Sequence, residues 1–385
     1  MKFDVVIVGG GTVGSTLAAA LSHAQLSLAL VEPRGSRELP GVGFDSRVYA
    51  LNGSSRRFLE KHGVWQRMQA DRIAPVREMR VFGDDASEIG FSAYRSHVPE
   101  LAAIVEEANL QQAIRCTLAR QENLTLIAAG FERAIWAQEA AELSLSDGTR
   151  IEAALVVAAD GADSRVRQSA AVEATTHHYA QTGVVANFHV DKAHRDTACQ
   201  WFVEAGVLAL LPLPGEHVSM VWSTDEAIGR ELIAASPEEL ANRVEAVSGG
   251  LTGRMHQVGV TAGFPLRRMR ASTLIGPRLA LVGDTAHNVH PLAGQGLNLG
   301  LADAQILSET LVARGAQNDC GAHALLRRYE RGRREDLLAM EAVTDGLQAL
   351  FASPLPGVRR LRNAGLKLVD GSSPLKRLLV KRALG

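Results

Sequence analysis

The chain has 385 residues, a hydrophobic fraction of 46% and a charged fraction of 22%, values typical of a globular protein. Its length suits two domains, and its composition excludes a disordered or fibrous chain. Lys and Arg total 41 against 42 Asp and Glu, so no basic excess points to nucleic acid. Cys116, Cys199 and Cys320 form no C-x-x-C pair, and no apolar run is long enough for a membrane span or signal peptide. The sequence therefore predicts a reduced, cytoplasmic protein.

The N-terminus predicts a βαβ unit. Phe3–Val8 is a β-branched apolar run typical of a buried strand, a helical pattern extends from about Thr12 to His23, and Leu26–Val31 is a second buried strand. Between the first strand and the helix lies Gly9-Gly10-Gly11-Thr12-Val13-Gly14, a G-x-G-x-x-G motif, and Glu32 ends the second strand. This arrangement has the size of a dinucleotide half-fold.

Each glycine of the motif has a physical role if a dinucleotide binds at this turn. Gly9 permits the tight turn, Gly11 lets a pyrophosphate approach the backbone, and Gly14 lets the helix and strand pack closely. The phosphates would meet the positive N-terminus of the helix, and Val13 lies in its first turn. The Glu32 carboxylate would accept hydrogen bonds from the ribose. The motif alone does not distinguish FAD from NAD, and a glycine-rich turn without a ligand is the structural alternative.

The remaining predicted elements form a mixed pattern of helices, buried strands and an antiparallel sheet. In chain order they are a mainly helical region at 53–80, a mainly β region at 121–158, a buried strand at Ala154–Ala159, and a mostly antiparallel sheet at about 178–265 interrupted by a helix at about 236–247. A buried strand at 278–282, a helix from about Gly294–Gly296 to Arg314 and a helical region at 321–352 follow.

Predicted buried strands both precede and follow the β-rich region, and they are typical of one α/β layer. The β-rich region is therefore expected to be an insertion in an α/β fold. The predicted fold is a Rossmann-like dinucleotide-binding domain with an inserted, mostly antiparallel β-sheet substrate domain and a helical C-terminal region. The predicted boundaries are 1–175 and 266–320 for the first, 176–265 for the second and 321–385 for the third. Parts of 70–110 are expected to face the substrate domain.

Two further motifs follow buried strands. Asp160-Gly161 opens the segment that ends at Arg167, and taken alone this segment favours an ordinary turn. The third motif runs from Gly283-Asp284 to Gly300. The Asp284 carboxylate can accept hydrogen bonds from polyol hydroxyls, and its glycines expose backbone N–H groups at a helix start, where such donors favour the negative charge of a reduced flavin. A glycine-rich helix cap is the alternative for this motif.

The three motifs, in this order and over essentially the whole chain, resemble the FAD-dependent aromatic hydroxylases of the para-hydroxybenzoate hydroxylase type. The segments FDSRVYALN at 44–52, HPLAGQGLNLG at 290–300 and RRYERGRR at 327–334 are similar to a narrower group, the ubiquinone-biosynthesis hydroxylases of polyprenylated phenols. NAGLKLVDG at 363–371 is similar to the members that hydroxylate ring position C5, which slightly favours that position.

The resemblance implies roles for individual residues. It places the cofactor-binding residues in the three motifs and in the DSR segment, and they are Gly9, Gly11, Val13, Gly14, Glu32, Arg47, Asp160, Arg165, Gly283, Asp284, Pro291, Gly294, Gln295, Gly296 and Asn298. His290 and Pro291, in the flavin-side loop, are the catalytic candidates, and no general base is identified. Glu107 departs from the family pattern of Gln, Asn or Arg, and its carboxylate accepts but does not donate when ionised. One flavin contact is therefore predicted to be lost or to run through water.

The implied activity is a monooxygenase reaction. NAD(P)H reduces FAD and departs as a transient co-substrate, and O2 then forms a C4a-hydroperoxyflavin that hydroxylates a polyprenylated phenol. An FAD-dependent reductase of a prenyl chain and a non-catalytic FAD-binding scaffold are the alternatives. A ubiquinone-synthesis protein complex is the implied partner, and no nucleic acid or metal is expected, because His287 and His290 lack further ligands at metal-binding spacing.

Two remaining features carry less specific expectations. His177 and His178 are predicted to lie in a solvated turn, and most aromatic residues of the β-rich region, among them Trp201 and Trp222, are predicted to be core. Residues 354–385 contain eight Lys and Arg and one Asp. A basic amphipathic helix there, set beside a membrane-resident substrate, favours peripheral attachment to the inner face of the membrane over a merely solvated face.

Overall fold

The computed structural model describes residues 1–33, 39, 43–83, 87–203, 206–288, 296–315 and 318–352, with side chains to residue 338. The strands are β1 Lys2–Val8, β2 Leu28–Val31, β3 Val48–Leu51, β4 Ala74–Val76, β5 Glu78–Phe82, β6 Glu88–Ser92, β7 Ala102–Glu106, β8 Leu124–Ile127, β9 Phe131–Trp136, β10 Ala141–Leu145, β11 Arg150–Ala158, β12 Ala174–Val190, β13 Thr197–Val203, β14 Gly206–Leu213, β15 His217–Asp225, β16 Met255–Ala271, β17 Ile275–Gly276, β18 Leu279–Leu281 and β19 His287–Asn288. The helices are α1 Thr12–Ala20, α2 Gly53–Lys61, α3 Glu107–Leu118, α4 Arg165–Ser169, α5 Glu226–Ala234, α6 Pro237–Ser248, α7 Gly296–Val312 and α8 His323–Ala352.

The first sheet is the nucleotide-binding type of layer that the sequence predicts. Strands β18, β11, β1, β2 and β8 lie side by side and run parallel. In the register, Val5 pairs with Leu155 on one side and Leu28 on the other, and all three side chains are fully buried. Such continuous burial is expected for parallel strands covered on both faces. The carboxyl ends of β1, β11 and β18 therefore meet at one edge, where the three motifs begin.

The second sheet has the order β19-β16-β12-β15-β14-β13-β5-β6. Its strands are antiparallel except at β13 and β5, so the mostly antiparallel sheet is confirmed. Its long strands Ala174–Val190 and Met255–Ala271 extend slightly beyond the predicted 176–265. The division of the chain into domains stays a prediction.

The helical prediction for 53–80 is wrong beyond Lys61. Two 3-10 turns follow that helix, and then come β4 and β5. β5 pairs with β13 in register, Glu78 opposite Thr197, and β4 pairs with β7. Pairing with strands distant in sequence therefore overrides local helical preference in this segment.

The two faces of the second sheet have different neighbours. On one face, Leu208, Trp222 and Met220 pack with Leu240 and Val244 of α6 and with neighbouring residues of α5. The other face meets the small sheet formed by β3, β7 and β4. The second sheet is thus packed between a helical layer on one face and the small sheet of β3, β7 and β4 on the other.

The predicted C-terminal helices are both present within the described chain. α7 begins at Gly296 and ends at Val312, and α8 spans His323–Ala352. In the part of the chain that the structure describes, no helix combines the length and apolar character required to cross a bilayer.

Candidate functional site

The first motif forms a tight turn between β1 and α1. Gly9 has φ +109°, a conformation that L side chains rarely adopt, and a Cβ there would collide with the carbonyl oxygen of Ala159. A Cβ on Gly14 would collide with the Gly9 carbonyl oxygen. Gly11 differs, because a Cβ there would meet no protein atom within 4 Å. Two glycines are thus required by packing, while the third leaves open space over the backbone.

That open space faces the N-terminus of α1. Gly11 is the N-cap residue, no side chain caps the helix, and its first turn contains no acidic residue. The first N–H groups and the positive end of the helix dipole are therefore directed at the open space, an arrangement that attracts a phosphate. Glu32 lies beside it, and its Oε2 accepts a hydrogen bond from Gly10 N at 2.8 Å.

Val13 joins the first motif to the third. A Cβ on Gly283 would lie 3.2 Å from Val13 Cγ2, and one on Gly300 would lie 2.6 Å from the same atom. Gly283 itself has φ +61°. The close approach of α1 and α7 thus depends on two glycines flanking the Val13 side chain, and it places Asp284 next to the N-terminus of α1.

Asp284 lies in the cleft between these elements. Its pKa is raised because the surrounding protein desolvates the carboxylate, although His287, Asn288 and Arg47 act in the opposite direction. Arg47 and Asp284 are therefore close enough to interact electrostatically.

Arg47 also faces Glu107 across this cleft. Arg47 Nη1 lies 3.3 Å from Glu107 Oε2, and the hydroxyl of Tyr49 donates to Glu107 Oε1 at 3.1 Å. The pKa of Tyr49 is raised by burial first and by Glu107 second, so the phenol stays protonated as a donor. Glu107, the position that departs from the family pattern, therefore accepts hydrogen bonds from the protein itself.

A buried charge network that the sequence reasoning missed lies directly behind Asp284. Asp303 of α7, fully buried, accepts a hydrogen bond from Gly283 N at 2.8 Å through Oδ2. The same oxygen lies 2.7 Å from His287 Nε2, and Arg333 of α8 donates to Oδ1 at 2.6 Å. Burial raises the pKa of Asp303, but His287 and Arg333 lower it more, so the net shift is downward. This network fixes the third motif against both C-terminal helices.

The only sequence signal for this network is indirect. Arg333 lies in RRYERGRR, a segment used for the resemblance but assigned no role. Tyr329 of the same segment is fully buried and donates to Leu281 O at 2.7 Å. A helical spacing of four residues places both side chains on one face of α8, where Tyr329 meets the first sheet and Arg333 meets α7.

The second motif connects α4 to the third motif. Asp160 accepts hydrogen bonds from Ser164 Oγ and, at 3.2 Å, from Val166 N. Arg167 is buried and donates to Thr285 O at 2.8 Å. Arg165 is exposed on the same helix. Asp160 therefore stabilises the turn and the start of α4, which agrees with the turn interpretation of this motif.

The DSR segment is held by buried polar contacts that the sequence did not reveal. Asp45 Oδ2 accepts from Ala108 N at 3.2 Å, and Asn187 of β12 donates to Asp45 O at 3.0 Å. Glu106, fully buried, accepts from Arg72 Nε at 2.7 Å and from Asp45 N at 2.5 Å. These bonds connect the segment before Arg47 to both the second sheet and α3.

Several predicted site residues have other placements. Asn298 donates to Ala50 O at 2.8 Å and accepts from Asn52 N at 3.1 Å, so its amide joins α7 to β3. His290, Pro291, Gly294 and Gln295 lie outside the described residues, as does the basic segment 354–385. Gly296 begins α7.

The candidate residues of the second sheet divide into core and surface. Trp201 and Trp222 are buried in the core, as predicted. His177 and His178 are exposed as predicted, but the turn prediction is wrong, because both lie on β12 and pair with Arg268 and Arg267 of β16. Within the described ranges, no group of three His, Cys, Asp or Glu side chains has the arrangement of a metal site.

The described residues fit a flavin dinucleotide. The uncapped N-terminus of α1 and the free space at Gly11 suit a pyrophosphate, and Glu32 lies at the adjoining strand end. Asp284 and Arg47 offer an acceptor and a cation in the continuation of the same cleft. The donor set thus matches a ligand with two phosphates and polyol hydroxyls.

Comparison with known proteins agrees with this geometry. Residues 2–344 match the family model described as FAD binding domain. The chain is 36% identical to ubiquinone hydroxylase UbiL of Rhodospirillum rubrum, with 99% of this chain and 89% of that protein covered. It is 34% identical to 3-demethoxyubiquinol 3-hydroxylase of Escherichia coli, with 99% and 98% covered.

The fold is also similar to solved structures. The crystal structure of p-nitrophenol 4-monooxygenase PnpA from Pseudomonas putida superposes with a TM-score of 0.81 at 18% identity and covers 100% of this chain and 99% of that one. At 18% identity this similarity concerns the fold alone, and it covers the full length of the chain.

Proposed function

This chain belongs to the FAD binding domain family and is an FAD-dependent hydroxylase, and from that premise we propose that it acts in ubiquinone biosynthesis. The proposed substrate is a polyprenylated phenol, whose aromatic ring receives one oxygen atom from O2 while NAD(P)H supplies the electrons. Ring position C5 is slightly favoured. The whole-length similarity to a ubiquinone hydroxylase and to a 3-demethoxyubiquinol 3-hydroxylase supports the substrate class.

The observation that carries the proposal is the contact of Val13 with both Gly283 and Gly300. It brings a phosphate-attracting helix N-terminus and an acidic polyol acceptor, Asp284, to one cleft. Arg47 lies across that cleft and interacts with Asp284. A cofactor with adjoining pyrophosphate and polyol portions uses both ends of this arrangement.

The proposed roles follow the cleft from one end to the other. Gly9, Gly11, Val13, Gly14 and Glu32 hold the ADP portion, and Asp284 with Gly283 holds the ribityl chain. Further residues are proposed to lie nearer the flavin ring or the entry of NAD(P)H, and they are Arg47, Asp160, Arg165, His290, Pro291, Gly294, Gln295, Gly296 and Asn298. The amide of Asn298 contributes by fixing α7 to β3.

The protein positions the ring and excludes water, while bound FAD supplies hydride acceptance and oxygen activation by the C4a route that the resemblance implies. The first sheet with α1 and α7 is proposed as the FAD-binding domain, and the second sheet as the substrate domain. Peripheral attachment to a membrane through 354–385 and membership of a ubiquinone-synthesis assembly are further proposals.

Anaerobic mixing of the FAD-loaded protein with NADPH tests the proposal. A substrate-gated hydroxylase is expected to bleach its flavin faster when a prenylated phenol is present, and NADH in parallel ranks the two donors. Flavin that neither donor reduces would favour the scaffold alternative. Reduction that consumes no O2 on readmission of air, but saturates a prenyl double bond, would favour the reductase alternative.

A further inference from the structure

The Glu107 carboxylate lies at the N-terminus of α3, on the side of that helix that faces the first motif. Glu107 is the first residue of α3, and its backbone N–H donates to Arg47 O at 3.0 Å. One turn later, Gln111 donates from Nε2 to Thr12 Oγ1 at 2.8 Å. Residues four apart share one face of a helix, so Glu107 lies on the face that meets the start of α1. A carboxylate is thus placed beside the helix end that attracts a phosphate.

The protein holds this carboxylate in place. The Tyr49 hydroxyl donates to Glu107 Oε1 at 3.1 Å, and the Glu107 side chain is only 14% exposed. Tyr49 lies on β3, which pairs with β7, and α3 begins directly after β7. The carboxylate therefore cannot leave the cleft without losing its hydrogen bond to Tyr49.

The Arg47 side chain is held more loosely. It is 57% exposed, and its contacts with Glu107 both come from Nη1, at 3.3 Å to Oε2 and 3.4 Å to Oε1. Charge-assisted hydrogen bonds from a guanidinium are usually about 2.7–2.9 Å long, and full binding of a carboxylate or phosphate uses two nitrogens. The Arg47 guanidinium is therefore able to turn to an anionic ligand that enters the cleft.

The charges around Arg47 act on one part of the cleft. Desolvation raises the pKa of Asp284, and Arg47 is among the charges that lower it. Burial raises the pKa of Tyr49, and the Asp284 charge raises it further. Arg47, Tyr49 and Asp284 are therefore within electrostatic reach of one another. An anionic cofactor adds negative charge to a region where two carboxylates, those of Glu107 and Asp284, already lie within reach of Arg47.

We propose that Glu107 weakens the binding of the anionic cofactor by competing with it for the charge of Arg47. A guanidinium paired with a carboxylate offers less charge to a second anion, and the pair has to loosen before Arg47 binds that anion. Glu107 is thus a positioning residue that acts through Arg47. The inference rests on the proposed placement of Arg47 in the FAD cleft, and it does not depend on the hydroxylation of a phenol.

Dilution of the FAD-loaded, full-length protein tests the inference. Free flavin at each dilution is separated by ultrafiltration and measured by its fluorescence, which gives the dissociation constant of FAD. The first test variant is Glu107→Gln, whose amide oxygen still accepts from Tyr49 while the charge is removed. The second is Glu107→Ala, which removes the same charge without introducing an amide.

The matched control is Glu100→Gln. Glu100 is 15% exposed and pairs with Arg56 at 2.6 Å, so the control also removes a largely buried carboxylate from an Arg partner. Neither Glu100 nor Arg56 is among the main charges that act on Asp284. The control therefore has the same change in net charge without a change in the cleft.

We expect both Glu107 variants to bind FAD about two- to fivefold more tightly, which corresponds to the small free energy of a partly exposed ion pair. Arg47→Gln is expected to bind FAD more weakly. The double variant Glu107→Gln/Arg47→Gln is expected to match Arg47→Gln, because Glu107 then has no guanidinium for which to compete. Glu100→Gln is expected to keep the original dissociation constant. This set of results supports the proposal.

Four other results would each overturn it. Unchanged or weaker binding in both Glu107 variants would show that the carboxylate does not compete, and unchanged binding in Arg47→Gln would show that Arg47 does not contact the cofactor. Equal tightening in Glu100→Gln would indicate a general effect of net charge. Tightening by Glu107→Gln to the same extent with and without Arg47 would indicate direct repulsion of the cofactor. Because turnover is not measured, these results are distinct from a failure of the proposed hydroxylation.

Discussion

Replacing Asp303 with Asn tests whether the buried network contributes more to the free energy of unfolding than an exposed ion pair does. Asp303 accepts from Gly283 N, lies 2.7 Å from His287 Nε2 and accepts from Arg333 Nε at 2.6 Å, with the pair of charges almost fully buried. An Asn side chain keeps the shape but leaves Arg333 buried without its counter-charge. Removing one partner of a buried pair costs about 3–5 kcal/mol. A protein in the middle or upper part of the usual range of about 5–15 kcal/mol remains folded after this loss.

The matched control is Asp163→Asn, which breaks an exposed ion pair of similar length with Arg267, 2.7 Å, where the carboxylate side chain is 81% exposed. Such a surface pair is worth at most about 1 kcal/mol. Urea unfolding of both variants compares the two costs. We also expect Asp303→Asn to weaken FAD binding about tenfold, because the single amide oxygen of Asn cannot accept from both Gly283 N and Arg333 Nε, and the third motif is then held less firmly. Equal unfolding free energies for the two variants, with unchanged FAD affinity, would refute the reasoning.

Gly11→Ala is expected to leave the unfolding free energy of the FAD-free protein nearly unchanged, since its methyl group meets no protein atom within 4 Å, but to weaken FAD binding measured by flavin fluorescence; full affinity would contradict a ligand at that turn. Thiol titration of the native protein should detect Cys116 alone, because burial raises the pKa values of Cys199 and Cys320 to about 11; three fast thiols would contradict the packing. The Asp303 pKa is depressed, so its stabilising contribution is present above about pH 4 and is lost as pH falls through the lower folded value; acid titration of unfolding should therefore be shallower in Asp303→Asn, and an unchanged slope would exclude this contribution.

The parts of the fold that depend on local pattern could be predicted from the sequence. The buried strand Lys2–Val8, the glycine turn and α1 follow from β-branched runs, a G-x-G-x-x-G spacing and a helical period. The antiparallel sheet follows from aromatic and β-branched runs between turns. These signals lie within about ten residues of each other, so no distant partner is needed to interpret them.

The parts that depend on distant partners could not be predicted. β5 forms because Glu78–Phe82 pairs with Thr197–Trp201. The sequence of Glu78–Phe82 contains no signal that identifies this distant partner. Asp303 likewise has the sequence of an ordinary polar helix residue, and its role follows only from the approach of Gly283 and Arg333. Buried networks of this kind are formed by tertiary packing and leave little local trace in a single sequence.

The most direct test of the proposed activity is a turnover experiment with heavy-isotope O2. The FAD-loaded protein, NADPH and a prenylated phenol are incubated together, and the product is analysed by mass spectrometry and by NMR for the ring position. The proposed function predicts a phenol that has gained one labelled oxygen atom on the ring, at C5 if the slight preference is right. NADPH oxidation that yields only peroxide, with no labelled ring product from any prenylated phenol tried, would contradict it.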